Sequence, residues 1–79
     1  MDQREITRLR KRLSSRKPGP FHFPELYGPD WDRLAIGDKV RKGRDFLRAV
    51  QDDAFPGVRD TGKKKDGGRL YRWCGDPAA

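Results

Sequence analysis

Histidine and cysteine, which serve most often in metal binding and nucleophilic catalysis, are nearly absent from this chain. Its 79 residues include one of each, His22 and Cys74. A lone cysteine excludes an internal disulfide, two such residues are too few for a zinc site, and their spacing does not suit a Cys–His catalytic pair. We therefore interpret Cys74 as a passive thiol and His22 as structural. We expect neither a metal nor a cofactor.

Long apolar runs are missing as well. Only 33% of the residues are hydrophobic, and no stretch is long enough for a transmembrane helix or a signal peptide. We therefore expect a cytoplasmic protein with no membrane partner, in a compartment that keeps thiols reduced. At this length the chain forms one small domain with a modest core.

The carboxylates do not cluster as an active site requires. General acid–base chemistry needs ionisable groups gathered in a cleft, and the acidic residues here are scattered along the chain. Gly67 and Gly68 lie in a turn rather than in a phosphate-binding loop. We do not expect an enzyme.

Positive charge is what the sequence has in excess. The net charge is +7 and the isoelectric point is near 10.1. Residues 1–17 carry seven basic and two acidic side chains. This imbalance suits nucleic acid, an anionic membrane or an acidic protein surface as the partner.

Residues 36–53 have the periodicity of a helix with one buried and one cationic face. The predicted buried stripe is Val40, Gly43, Leu47 and Val50, with Phe46 beside it, and the opposite face carries Arg41, Arg44 and Arg48, flanked by Lys39 and Lys42. Asp38 is the candidate N-cap. Gly43 costs a helix about 1 kcal/mol relative to alanine, so we expect another element, such as Trp31, to pack closely against it.

The charges of this helix oppose its dipole. Basic residues stand in its first turn and acidic residues in its last, whereas the helix dipole favours the reverse. A bound polyanion would relieve this conflict. The alternative is a solvated charged face that binds nothing.

The elements around this helix predict a winged helix. Residues 30–50 have the pattern of a helix-turn-helix with its turn at Ile36 and Gly37. Residues 57–64 and 69–74 are predicted strands, joined by a turn near residues 65–68 that carries a cationic tip. Tyr71 and Trp73 share one face of the last strand, either as core or as a platform for stacked bases.

The chain is thus predicted to be α+β and mostly α, a small winged helix-turn-helix-like domain with a basic N-terminal helix. Residues 1–17 are the basic helical arm, for which Asp2 is the candidate N-cap with Glu5 three residues later. Its apolar stripe is narrow, so the arm either docks weakly or becomes ordered only on binding. Residues 18–22 are a hinge, 23–74 the winged-helix-like domain, and 75–79 a disordered tail.

The spacing of aromatic residues and glycines resembles that of a family of short bacterial and phage proteins catalogued as a domain of unknown function. The residues that carry the resemblance are Leu26, Tyr27, Trp31, Leu34, Gly37, Gly43, Arg44, Phe46, Val50, Gly62, Lys63 and Tyr71. The resemblance covers residues 25–73. It implies a winged-helix-like domain and no particular activity.

We predict a small nucleic-acid-binding module that neutralises phosphates, with DNA favoured over RNA. The candidate contact residues are Arg8, Lys11, Arg12, Lys39, Arg41, Lys42, Arg44, Arg48, Lys63, Lys64, Lys65 and Arg69. Without asparagine, sequence preference should be weak unless the chain binds as a homodimer. The alternative is a phage- or prophage-type interaction module that docks on an acidic host protein or a nucleoprotein complex.

Overall fold

The computed structural model describes residues 1–65 and 68–75, and shows an α+β fold, as predicted. In chain order its elements are α1 (Gln3–Ser14), β1 (Gly19–His22), α2 (Phe23–Tyr27), a 3₁₀ helix (Pro29–Arg33), α3 (Ile36–Gln51), β2 (Val58–Lys65) and β3 (Gly68–Trp73). The strands form an antiparallel sheet in the order β1–β3–β2. The centre of the predicted hairpin turn, 66–67, and the predicted tail from 76 onward lie outside the described residues.

The two predicted strands are present as β2 and β3, and together they form a hairpin that contains a bulge. The register shifts between Asp60 and Lys64. Gly62 has φ of +72° there, a conformation that L side chains rarely adopt. Its N–H donates to Asp60 Oδ1 at 3.0 Å, which fixes the bulge. A bulge of this kind bends a hairpin and increases its twist.

Phe46 lies at the centre of the core, and its side chain is fully buried. Its ring stacks on Phe23 of α2 with centroids 4.4 Å apart, and meets Tyr71 of β3 edge-on at 4.9 Å. Phe21 of β1 and Phe55, in the turn after α3, also contact this ring. Through this one side chain, α3 is packed against both the short helix and the sheet.

The N-terminal helix belongs to the same core. Leu9 and Leu13 are 0% and 1% exposed, and both pack in the cluster that contains Phe46. The Arg12 guanidinium donates to the carbonyl oxygens of Leu26 and Tyr27, at 3.2 and 2.5 Å, at the end of α2. The separate, weakly docked arm predicted for residues 1–17 is therefore wrong.

The predicted hinge at residues 18–22 is a strand. Gly19 pairs with Trp73 and Phe21 with Tyr71, so β1 completes one edge of the sheet. The Trp73 indole N–H donates to the Arg16 carbonyl oxygen at 3.1 Å, so the segment between α1 and β1 is also held. The domain therefore begins at α1, not at residue 23.

The extent of α3 is close to the prediction, and Phe46 and Val50 are buried as expected, but the other residues of the predicted stripe are not fully buried. Its buried residues are Phe46, Ala49 and Val50, whereas Val40 is 51% exposed. A Cβ added at Gly43 would meet no other atom within 4 Å, so neither Trp31 nor any other described residue packs closely there. The helix is therefore rotated from the predicted setting, so that Val40, Gly43 and Leu47 lie on the flank of its buried face.

The start of α3 also differs from the prediction. The N-cap is Ala35, with no side-chain hydrogen bond, so Asp38 is not the cap. Ile36 and Gly37 are already helical, and the turn that precedes α3 therefore lies at residues 34–35. No helix among residues 1–65 and 68–75 has both the length and the apolar character needed to cross a membrane.

Two local predictions are confirmed. Asp2 caps α1, because its Oδ1 accepts from the Glu5 backbone N–H at 2.8 Å. Tyr71 and Trp73 are 3% and 4% exposed, so the aromatic face of β3 is core and cannot serve as a stacking platform.

Leu9→Ala tests whether α1 is part of the folded domain. Removing a fully buried leucine should lower the free energy of unfolding by about 2–5 kcal/mol, measured by urea denaturation followed by circular dichroism. The control is Arg10→Ala, an exposed position on the same helix, which should shift the midpoint little. Equal midpoints for the two variants would mean that α1 is a detachable arm.

Candidate nucleic-acid interface

A groove of about 780 Å³ separates α3 from the β2–β3 hairpin. Its apolar lining includes Phe23, Trp31, Val40, Leu47 and Tyr71, and its basic lining is Lys39, Arg44, Lys64 and Arg69. Glu25 is the one carboxylate among the described lining residues. The α3 wall is the Val40–Gly43–Leu47 stripe that was predicted to be buried. The groove therefore combines an apolar surface with positive charge from two elements.

The hairpin side of the groove is held in place by Arg69. Its Nη1 donates to both carboxylate oxygens of Asp60, at 3.0 and 2.8 Å, across the bulge. Its carbonyl oxygen lies 3.0 Å from the Nδ1 of His22, which confirms a structural role for that histidine. Lys64 is paired directly opposite Arg69 in the sheet register, and both side chains line the groove.

The outer face of α3 continues the cationic surface. A second concavity there is lined by Arg41, Arg44 and Arg48, together with Gly37, Val40 and one carboxylate, Asp45. Arg44 and Val40 line both the groove and this concavity. The predicted cationic face of α3 is therefore continuous, through Arg44, with the groove that Lys64 and Arg69 of the hairpin also line.

Lys42 is used inside the protein instead. Its ammonium donates to both carboxylate oxygens of Glu5 at 3.2 Å and lies 5.6 Å from the centre of the Tyr27 ring. Burial lowers the pKa of Lys42, but the hydrogen bond and negative charge of Glu5 outweigh this effect, so the pKa is raised overall. The pair joins α3 to α1 and contributes little to an external surface.

The basic residues of α1 lie apart from the groove. Arg12 binds the end of α2, and the Arg8 guanidinium lies 5.6 Å from the Tyr27 ring centre. Lys11 is exposed, and lines a shallow depression on α1 that shares none of its described residues with the groove. Lys63 and Lys65 are exposed on the hairpin outside the groove lining. Of the three cationic elements in the sequence, the groove thus brings together α3 and the hairpin.

The apolar part of the groove was not expected from the sequence. Trp31, which was expected to pack against Gly43, is only half-buried against Phe23, with ring centroids 5.4 Å apart. The one residue in the sequence that indicated this apolar surface was Gly43. Glycine is unfavourable in the middle of a helix, and no packing contact explains it here. Such a residue also suits a wall that a ligand approaches closely.

Within residues 1–65 and 68–75, no three His, Cys, Asp or Glu side chains could hold a metal ion together. Burial, and after it the Asp60 carboxylate, raise the pKa of Tyr71 to about 12, against the opposing effect of Arg69. Tyr71 is therefore neutral under physiological conditions and acts as an apolar wall.

A family model described as Domain of unknown function (DUF1413) matches residues 7–72. The match is consistent with the expected resemblance to a family of unknown function. It also extends that resemblance, expected for residues 25–73, across most of α1 and all of β1. No curated protein and no solved structure matches the chain.

The raised pKa of Tyr71 predicts a specific loss of stability in alkali. The folded protein holds the Tyr71 phenol proton more tightly than the unfolded chain does. The stability that this difference contributes is therefore fully present below the unfolded-state pKa of about 10. It is lost as the pH rises toward 12. Tyr71→Phe keeps the ring packing and should lose less stability than the wild type between pH 10 and 12, by urea denaturation. Parallel losses in both proteins would contradict this role.

Proposed function

We propose that this chain, which belongs to the DUF1413 family, is a small winged-helix module that binds duplex DNA without catalysing a reaction on it. The observation that carries the proposal is the groove in which basic residues of α3 and of the hairpin face one another. Lys39 and Arg44 come from the helix, and Lys64 and Arg69 from the hairpin. Two elements distant in sequence thus supply one cationic surface.

The arrangement of elements supports a winged helix. The order is helix, strand, two helical segments, the long helix α3 and two hairpin strands, with the last strand in the middle of the sheet. In a helix-turn-helix the second helix enters the major groove while neighbouring elements contact the backbone. Here α3 is that second helix, and the hairpin beside it is the wing.

Phosphate neutralisation would supply most of the affinity. Within residues 1–65 and 68–75, Lys39, Arg44 and Lys64 form no salt bridge, so their charges remain available to a ligand. The groove between them is open along α3 because Gly43 has no side chain. We infer that one strand of the sugar–phosphate backbone lies in this groove while the outer face of α3 approaches the bases.

A second function is favoured by the apolar character of the same surface. Ile36 and Val40 are 79% and 51% exposed, and the groove beside them contains the half-buried Trp31. Aromatic and aliphatic residues beside basic ones also suit an acidic, amphipathic segment of another protein. In that case the affinity would depend mainly on Trp31, and DNA would not compete.

Salt-dependent binding to a 24-base-pair duplex tests the phosphate mechanism. Affinity should fall steeply between 50 and 200 mM salt, measured by fluorescence anisotropy. The double variant Arg44→Ala/Lys64→Ala should reduce the slope of log K against log salt by about 1.8, since each phosphate contact contributes about 0.9.

The matched control is Arg59→Ala/Arg72→Ala. These two arginines are exposed, lie opposite each other on β2 and β3, and do not line the groove. The control removes the same charge from another surface and should leave the slope nearly unchanged. Affinity that does not vary with salt, or equal losses in both double variants, would refute binding through the groove.

Gly43→Ala separates the stability of α3 from ligand binding. Because the added methyl meets no atom within 4 Å, it should stabilise the helix by up to about 1 kcal/mol. In a domain of this size the melting temperature should then rise by up to about 4–8 °C. The same methyl narrows the groove and should weaken DNA binding. A more stable variant with unchanged affinity would place the DNA elsewhere.

A further inference from the structure

One row of side chains on α3 changes from aliphatic to basic along the helix. Ile36, Val40, Arg44 and Arg48 are spaced by four residues and therefore follow one another along the same side. The two arginines of this row line the outer concavity. The first two members, Ile36 and Val40, are exposed, so packing within this molecule does not explain why they are aliphatic.

The position of this aliphatic pair is where a recognition helix contacts bases. Ile36 is the first residue of α3 and Val40 lies one turn later. In helix-turn-helix proteins the N-terminal residues of the second helix contact base edges in the major groove. The N-terminal end of a helix also carries the positive end of its dipole, which favours close approach to DNA.

The side chains of Ile36 and Val40 suit contact with one feature of the bases, the methyl group of thymine. Adenine is read by Asn or Gln, but the chain has no asparagine, and of its two glutamines Gln3 belongs to α1 and Gln51 to the opposite end of α3. Aliphatic side chains contact the C5-methyl group of thymine, which projects into the major groove. Uracil lacks this methyl, and the major groove of A-form RNA is too deep and narrow for side chains to read.

We propose that Ile36 and Val40 contact thymine methyl groups in the major groove, which makes the ligand thymine-containing B-form DNA rather than RNA. This inference rests on the proposed DNA-binding function. The adjacent Arg44 and the groove bind the backbone and supply affinity that does not depend on sequence. The aliphatic pair then adds a preference for methyl groups at the positions that the helix covers.

The test removes only the methyl groups. A mixed-sequence 24-base-pair duplex is compared with the same duplex in which deoxyuridine replaces every thymidine, by anisotropy at one salt concentration. The wild type should bind the deoxyuridine duplex about fourfold more weakly for each thymine methyl group that Ile36 and Val40 cover. A factor of about four is the affinity expected from burying one methyl group. A duplex RNA of the same sequence should bind more weakly still.

Variants assign the effect to the two side chains. Ile36→Ala/Val40→Ala should bind both DNA duplexes with nearly equal affinity, because the methyl groups lose their partners. Both positions are exposed, so the fold should survive, and an unchanged thermal transition checks this. The Arg59→Ala/Arg72→Ala control should keep the full difference between the two duplexes.

The outcomes separate this inference from the function beneath it. Salt-dependent binding of equal strength to both DNA duplexes would overturn thymine recognition and leave DNA binding intact. A difference that persists in the Ile36→Ala/Val40→Ala variant would show that other residues read the methyl groups, which overturns the assignment to this pair. No binding to any duplex would overturn the proposed function and this inference together.

Discussion

The ring of Phe46 fixes the geometry on which the rest of this small domain depends. It stacks on Phe23 and meets Tyr71 edge-on, so one side chain joins α3 to α2 and to the sheet. With Phe46 pointing into the core, the helix has one rotational setting. Val40, Gly43 and Leu47 then form the wall of a groove, and Arg41, Arg44 and Arg48 line the concavity on the outer face. The candidate interface is thus a direct result of core packing.

The positive charge divides into two groups with different physical roles. Lys42 bonded to Glu5, Arg12 bonded to the carbonyl oxygens that end α2, and Arg69 bonded to Asp60 fix elements to one another. Basic groups at the C-terminal end of a helix are favourable because they meet carbonyls that lack helical partners. The count of 19 basic side chains therefore overstates how many are available to a ligand. Exposed positive charge remains on α3 and the hairpin, and also on α1, where Arg10 and Lys11 are exposed.

The sequence predicted the elements with strong local signals. The extent of α3, the two strands of the hairpin and the Asp2 cap all follow from periodicity, turn residues and capping chemistry, and all are present. β1 was missed because four residues that include a glycine and a proline have no detectable period. The helix of residues 1–17 appeared too weakly apolar to dock, yet Leu9 and Leu13 are fully buried, since two well-packed leucines suffice in a small core.

The orientation of α3 could not be obtained from periodicity alone. The predicted stripe of Val40, Gly43, Leu47 and Val50 and the buried set of Phe46, Ala49 and Val50 overlap on this helix, and both are largely apolar. Phe46 decides between them, because aromatic rings from four other segments surround it, and those contacts are not local in sequence. For the same reason the groove was not foreseen. It requires the helix wall and the hairpin to be placed together.

The position of β3 at the middle of the sheet has a consequence during synthesis. β1 and β2 each pair with β3 and not with each other, although both precede it in the chain. As the chain leaves the ribosome, the first two strands therefore have no partner until the third is complete. Sheet formation and the closing of the core around Phe46 must then come late and together, which favours a single cooperative folding step over gradual assembly from the N-terminus.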